Sequence, residues 1–280
     1  MMKKTTPLSV VLIALFSVAQ APAEAERKAG ERMVLTIKEV EFPFRWCPPG
    51  TFTMGSPPSR AAVRDADETQ HQVTLSRGFW MLETPVTQAM WKSVTGNNPS
   101  YFTGDKLPAE RVSWKDCQKF IEQLNAHLAG TPGTPAGYRF SLPTEAQWEY
   151  ACRAGTTTPF HFGSVLNGDK ANCDGNFPYG TSTMGQYLKK TSEVGSYPAN
   201  DWGLFDMHGN VWEWCLDWYG DYPSGSVTDP TGADEGSNRV LRGGGWNDHA
   251  GNCRSAYRNS NAPSDRNFRY GVRISLVRAE

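Results

Sequence analysis

The spacing of apolar residues changes character along this chain, and each change predicts a different kind of structure. An unbroken apolar run from Leu8 to Ala19 opens it. Residues 26–41 are charged and are expected to be mobile, so that order begins at Phe42. Between Phe42 and Met54 two strand-like runs flank the turn residues Pro48-Pro49-Gly50. After a polar loop over 56–70, the runs Val73–Leu75 and Gly78–Met81 predict a short strand pair.

The period then lengthens. Thr87 is a suitable N-cap for a helix through Met90 and Trp91 that Gly96 stops. A second helix starts at Ser113, where Asp116 stands in the position of a capping partner. Cys117, Phe120, Ile121, Leu124 and Leu128 then recur at helical spacing and read as core. Thr144 with Gln147 has the form of a capping box for a third helix that carries Trp148, Ala151 and Cys152 up to Gly155. From Thr156 onward the helical period disappears. Short apolar segments alternate with Gly, Pro, Asn and Asp, which predicts loops and short strands.

Composition sharpens this picture. Ten Trp and 27 Gly in a chain only 39% hydrophobic imply large aromatics packed between many turns, rather than long aliphatic helices. No Gly/Ser-rich or charge-rich linker divides residues 42–280, so they are expected to form one domain. A net charge of −1 with interspersed signs gives no electrostatic footprint for nucleic acid or an anionic membrane. Met1-Met2-Lys3-Lys4, the apolar run and the small-x-small pattern Ala23-Glu24-Ala25 together read as a secretory signal peptide over 1–25. The run is shorter than the ~20 residues a membrane span needs. The expectation is therefore cleavage after Ala25, no span thereafter, and an exported product in the periplasm, at the cell surface or outside the cell. Six cysteines, Cys47, Cys117, Cys152, Cys173, Cys215 and Cys253, none in CxxC spacing, are expected to be buried thiols or up to three disulfides, with 15 pairings open.

Five segments, in order, carry a family resemblance. They are Pro48-Pro-Gly-Thr-Phe-Thr-Met-Gly55, Glu83-Thr-Pro-Val-Thr87, Leu142-Pro-Thr-Glu-Ala-Gln-Trp-Glu-Tyr150, Gly203-Leu-Phe-Asp-Met-His-Gly-Asn-Val-Trp-Glu-Trp214 and Arg242-Gly-Gly-Gly-Trp246. They resemble the successive signatures of the formylglycine-generating-enzyme, or sulfatase-modifying-factor, family, over roughly 42–277. The resemblance implies an irregular, single-domain α+β fold, C-type-lectin-like, with little regular secondary structure. It also implies structural calcium, held by the side chains of Asp206 and Glu213 and the carbonyls of Gly209 and Val211. A second calcium site would begin at Asn172 and the carbonyl of Cys173. Calcium takes six to eight oxygens from carboxylates and carbonyls, which this Asp-x-x-Gly-Asn-x-x-Glu segment can offer. Read from the residues alone, Glu213 is a strand residue and Asp206 a turn acid bonded to its own backbone.

The parent enzymes of the family resemble copper-dependent oxidases that convert a sulfatase cysteine, in a Cys-x-Pro-x-Arg motif, to formylglycine. Copper(I) prefers soft thiolates, and the family places two cysteines five residues apart. Here the second is Cys253, but the first position is Asp248, a hard carboxylate, and Gly245 stands where a serine is expected. His249 matches a family active-site histidine. Copper is accordingly not expected. A nucleophile set of Asp248, His249 and Cys253 has no oxyanion motif beside it. The arginines of Arg254-Ser-Ala-Tyr-Arg258 are expected to pack on aromatics or to pair with acids.

Two functions compete. One is a module binding a protein, peptide or glycan through Asn247, Asp248, His249 and Asn252 and the segment Asn259–Asp265, although Asn, Asp and Ser are also ordinary turn residues. The other is an oxidase that matures a sulfatase. A thiolate pair at 248 and 253 separates them, and the sequence lacks it.

Overall fold

The computed structural model describes residues 26–57, 66–128 and 130–279. The expected signal peptide, 1–25, lies outside them. The elements in chain order are β1 (Arg32–Ile37), β2 (Val40–Cys47), β3 (Gly50–Met54), β4 (His71–Leu75), β5 (Phe79–Leu82), α1 (Gln88–Thr95), α2 (Trp114–Leu128), β6 (Tyr138–Ser141) and α3 (Glu145–Arg153). They are followed by β7 (Trp212–Trp218), β8 (Val227–Thr228), β9 (Arg239–Arg242), a 3₁₀ turn (Ala250–Cys253), β10 (Asn259–Asn261), β11 (Tyr270–Gly271) and β12 (Ser275–Arg278).

The helices begin where their caps predict. Thr87 accepts from the Met90 N–H at 3.2 Å, and Gly96 closes α1 in the left-handed conformation. Thr144 and Gln147 form a full capping box. Ser113 and Asp116 bond each other's backbone N–H in the same reciprocal way at the start of α2.

Strand order in the largest sheet is β1-β2-β5-β12-β6, so β12, late in the chain, is inserted between β5 and β6 while β1 forms an edge. A second sheet runs β10-β9-β7-β11, and a third β3-β4-β8. Two expectations are corrected here. Residues 26–41 are not a mobile lead-in, because β1 pairs along its whole length with β2 and buries Leu35 and Ile37. The connecting Lys38-Glu39 turn has φ of 48° and 67°, the two-residue hairpin geometry usually signalled by Asn-Gly. With neither residue present, the hairpin had no turn signal. The runs at 71–75 and 79–82 are strands, but not partners: β4 joins β3 and β8, whereas β5 joins β2 and β12.

One apolar cluster lies between the large sheet and α1 and α2, where Trp91 stacks on Phe120 at 4.7 Å. A second lies around α3 and includes Trp148, Met207 and Val240. The structure adds what composition did not foresee, a frame of buried ion pairs crossing these clusters. On α3, Glu149 accepts from Arg242 of β9 and from Arg153, and Glu145 accepts from Arg258 Nε at 2.7 Å. Arg254 grips both oxygens of Glu68 at 2.7 Å, and Arg273 grips both of Glu213 at 2.9 Å. The expected pairing of Arg254 and Arg258 with acids and rings is therefore realised, with Tyr222 lying 3.9 Å from the Arg258 guanidinium. No helix among the described residues is long and apolar enough to cross a membrane.

Candidate functional site

The region around Asp248 is built where β9 ends. Gly243 and Gly244 carry φ of 97° and 78°, which turns the chain away from the sheet and into Trp246–His249. Asp248 is buried and faces inward: its Oδ2 accepts from Trp212 Nε1 at 2.7 Å and from the Gly245 N–H at 2.9 Å, and Oδ1 lies 3.5 Å from Arg269 Nη1. Its carboxylate is thus the anchor of the loop, bonded to neighbours that a thiol would satisfy poorly.

Cys253 is fully buried and its thiol points toward the His249 carbonyl oxygen at 3.8 Å, not toward the imidazole. The neighbouring Cys173 thiol, and then burial, hold this thiol well above the usual cysteine range. The His249 ring is exposed and stacks on Phe177 at 4.0 Å. Asp248, His249 and Cys253 are close in sequence, yet their reacting groups do not form a relay. The buried histidine of this region is His208, which sequence reading left aside. Its Nδ1 bonds the Cys253 carbonyl at 2.7 Å, its Nε2 accepts from the His161 N–H at 3.1 Å, and burial pushes it down to about 3.

Around this anchored loop lies an exposed aromatic face. Trp246 lies 5.7 Å from Phe268, 5.6 Å from Phe102 and 6.2 Å from Tyr187, and Tyr101 extends the row through Phe268. Tyr101 is 66% exposed and Phe177 51%, in a molecule whose other large aromatics are mostly interior. Beside the rings, Asn247 Oδ1 and Arg269 Nε are shielded from solvent and find no partner in the protein. Asn252 is half-buried, its N–H given to the His249 carbonyl. Of the predicted surface, Asn247 and His249 border the aromatic face. Asp248 is interior, and Asn259–Asn261 is a strand paired with β9 rather than a free loop. Tyr101, Phe102, Phe177, Tyr187, Phe268 and Arg269 were not foreseen. They come from separate loops with no shared period, and only an exposed aromatic after the Asn-Pro-Ser turn at 98–100 could have hinted at them.

The calcium residues divide. Glu213 accepts from Trp148 Nε1 at 2.6 Å as well as from Arg273, so both of its oxygens are engaged and its charge is matched by a buried guanidinium. In this arrangement it does not fit a calcium ligand. Asp206, in the left-handed region at φ 54°, accepts from the Gly195 N–H at 2.7 Å, and burial pushes its carboxyl up to about 6. Gly209 is placed against the Asn172 backbone, whose carbonyl accepts from the Asn210 N–H at 2.8 Å. Asn172 fits better: its amide nitrogen donates to the Lys190 carbonyl at 3.0 Å, while its Oδ1 is buried without a partner, an oxygen aimed at nothing in the chain. Among the described residues no three His, Cys, Asp or Glu side chains converge as a metal cluster. A cation at the second expected site would rest on Asn172 Oδ1 and the Cys173 carbonyl.

The comparisons with known proteins agree with this architecture. The family model described as "Sulfatase-modifying factor enzyme 1-like domain" matches residues 44–278. The formylglycine-generating enzyme of Mus musculus is 33% identical over 214 residues, 73% of this chain and 53% of that protein. That of Streptomyces coelicolor is 34% identical over 200 residues, 68% of this chain and 59% of the relative. The chain thus spans between half and three-fifths of the length of these relatives. Among solved structures, PvdO from Pseudomonas aeruginosa superposes with a TM-score of 0.74 at 28% identity, over 90% of this chain and 99% of that one. Treponema denticola variable protein 1 does so with 0.72 at 28%, over 88% and 99%. On the family model and these relatives, this chain belongs to the formylglycine-generating-enzyme, or sulfatase-modifying-factor, domain family, on a C-type-lectin-like α+β fold.

Proposed function

We propose that the domain is an exported binding module for a protein, peptide or glycan, and that it does not run the family's copper oxidase. The observation that carries this reading is Asp248. It occupies the first cysteine position of the family's pair, and its carboxylate is spent on Trp212, Gly245 and Arg269. A hard, hydrogen-bonded carboxylate does not complete a two-coordinate copper(I) site. Cys253, the remaining member, is interior.

The exposed rings of Tyr101, Phe177 and Phe268, with the half-buried Tyr187, Asn247 and Arg269 beside them, form the kind of surface that binds through stacking and a few directed hydrogen bonds. Such a face suits a sugar ring or an aromatic-rich peptide segment. Calcium at Asn172 and the Cys173 carbonyl would stiffen the loop beneath it. Chelation is then expected to lower the melting temperature of the wild type and not that of Asn172→Ala.

The test of the binding reading uses glycan and peptide arrays probed with the tagged wild type and with Phe177→Ala/Arg269→Ala. Retention of wild-type signals that the double variant loses is expected. Signals shared equally by both proteins would move binding off this face. The second reading, sulfatase maturation, is favoured by the relatives named as formylglycine-generating enzymes, and oxidation of a Cys-x-Pro-x-Arg peptide would establish it instead.

A further inference from the structure

Of the six cysteines, two are brought together by the fold although 80 positions separate them in sequence. Both are free thiols in the structure, and the Cys173 thiol is the neighbour that most strongly influences that of Cys253. Both lie in one small apolar cluster with Phe160, Leu166, Ala171 and Ala250, and are essentially inaccessible to solvent. The two backbones run side by side next to the pair, where the Asp174 N–H donates to the Asp248 carbonyl at 2.9 Å and Asp174 bridges His249. Gly244 keeps the space open: a β-carbon there would come within 2.5 Å of Cys253 Sγ.

The other four thiols find different neighbours. Cys47 and Cys215 face backbone carbonyls, and Cys152 faces Met207, His208 and Ser255. Cys117 sits in the core of α2.

We propose that Cys173 and Cys253 form a disulfide when the chain folds under oxidising conditions, tying the loop that carries Asn172 to the 3₁₀ turn beneath Asp248 and His249. The bond forms by thiol–disulfide exchange before the cluster closes. One cysteine thiolate attacks an external disulfide, small-molecule or protein, giving a mixed disulfide. The second thiolate then displaces the carrier, so the two cysteines lose two protons and two electrons, and the external disulfide becomes two thiols. The link braces the floor of the aromatic face. It also removes Cys253 from the pool of soft ligands, by a route independent of whether any ligand binds above it.

The test is peptide mapping of the full chain, folded with a mixture of reduced and oxidised glutathione, then denatured and alkylated with iodoacetamide without reduction. The expected result is four alkylated cysteines, an intact mass about 2 Da below the reduced form before alkylation, and tryptic peptides 171–189 and 243–254 recovered as one linked species. Closing a loop this long implies that reduction lowers the melting temperature by roughly 10 °C. Cys173→Ser and Cys253→Ser should each abolish that reductant-dependent shift. Six alkylated cysteines, or linkage of either residue to a different cysteine, would overturn the proposal.

Discussion

The interior between α3 and β9 and the surface around Trp246 are both rich in charge and aromatic rings, yet in the first the charges are paired inside the fold and in the second the rings face solvent. Within the interior frame, Glu149, Glu145, Glu68 and Glu213 each meet an arginine, and Arg242 also donates to three carbonyls, of Ser255, Ala256 and Tyr257. At the face, the rings of Tyr101 and Phe177 meet solvent, while Asn247 Oδ1 and Arg269 Nε lie shielded beneath without a partner in the protein. In the frame every one of these carboxylates meets a guanidinium, although Arg242 Nε itself finds no partner, whereas the rings of the face meet solvent. What this teaches is that Leu142-Pro-Thr-Glu-Ala-Gln-Trp-Glu149, one of the segments that carries the family resemblance, and the Arg254-Ser-Ala-Tyr-Arg258 segment serve here as clamps between a helix and loops. The proposed binding face is made of residues with no motif at all.

That contrast can be broken most severely at the frame. Arg242→Ala leaves Glu149 buried without its main cation and strands three carbonyls, so a loss of ~3–5 kcal/mol is expected in denaturant unfolding. Retention of wild-type stability would mean that the frame does not hold the fold.

A smaller effect is expected at Asp217, whose Oδ2 accepts the Glu145 N–H at 2.8 Å. Burial, and then the Glu145 carboxylate, push it up to about 8. The folded state therefore keeps a proton that the unfolded chain sheds near its ordinary range of about 4. This group's contribution to stability is present at low pH and is lost as pH rises through about 8, with a slope of at most about 1.4 kcal/mol per unit. Asp217→Asn should flatten that part of the pH profile, making the variant the more stable of the two at pH 8.5. Parallel profiles for both proteins would refute the assignment. The smallest stability effect belongs to the face: Phe177→Ala/Arg269→Ala should unfold within about 1 kcal/mol of the wild type. A larger loss would show that these groups serve the fold.

How much of this was legible in the sequence follows from the range of the interactions. The caps at Thr87, Ser113 and Thr144 are local, and all three helices start beside them. The β1–β2 hairpin was missed because Lys38 and Glu39 adopt positive φ without the glycine or asparagine that advertises it. The partners of β4 and β5 depend on strands far along the chain, and no local pattern encodes them. At the site, the substitution at Asp248 was visible as a letter. Its role as an inward anchor, the engagement of Glu213 by Arg273, and the meeting of Cys173 with Cys253 are products of tertiary proximity.

The most direct measurement of the central claim is mass spectrometry of a Cys-x-Pro-x-Arg peptide after aerobic incubation with the reduced, copper(I)-loaded protein. No conversion of the cysteine to formylglycine is predicted for the wild type. Stoichiometric conversion, lost in Cys253→Ser, would contradict the account and show that Asp248 does not prevent the oxidase chemistry of this family.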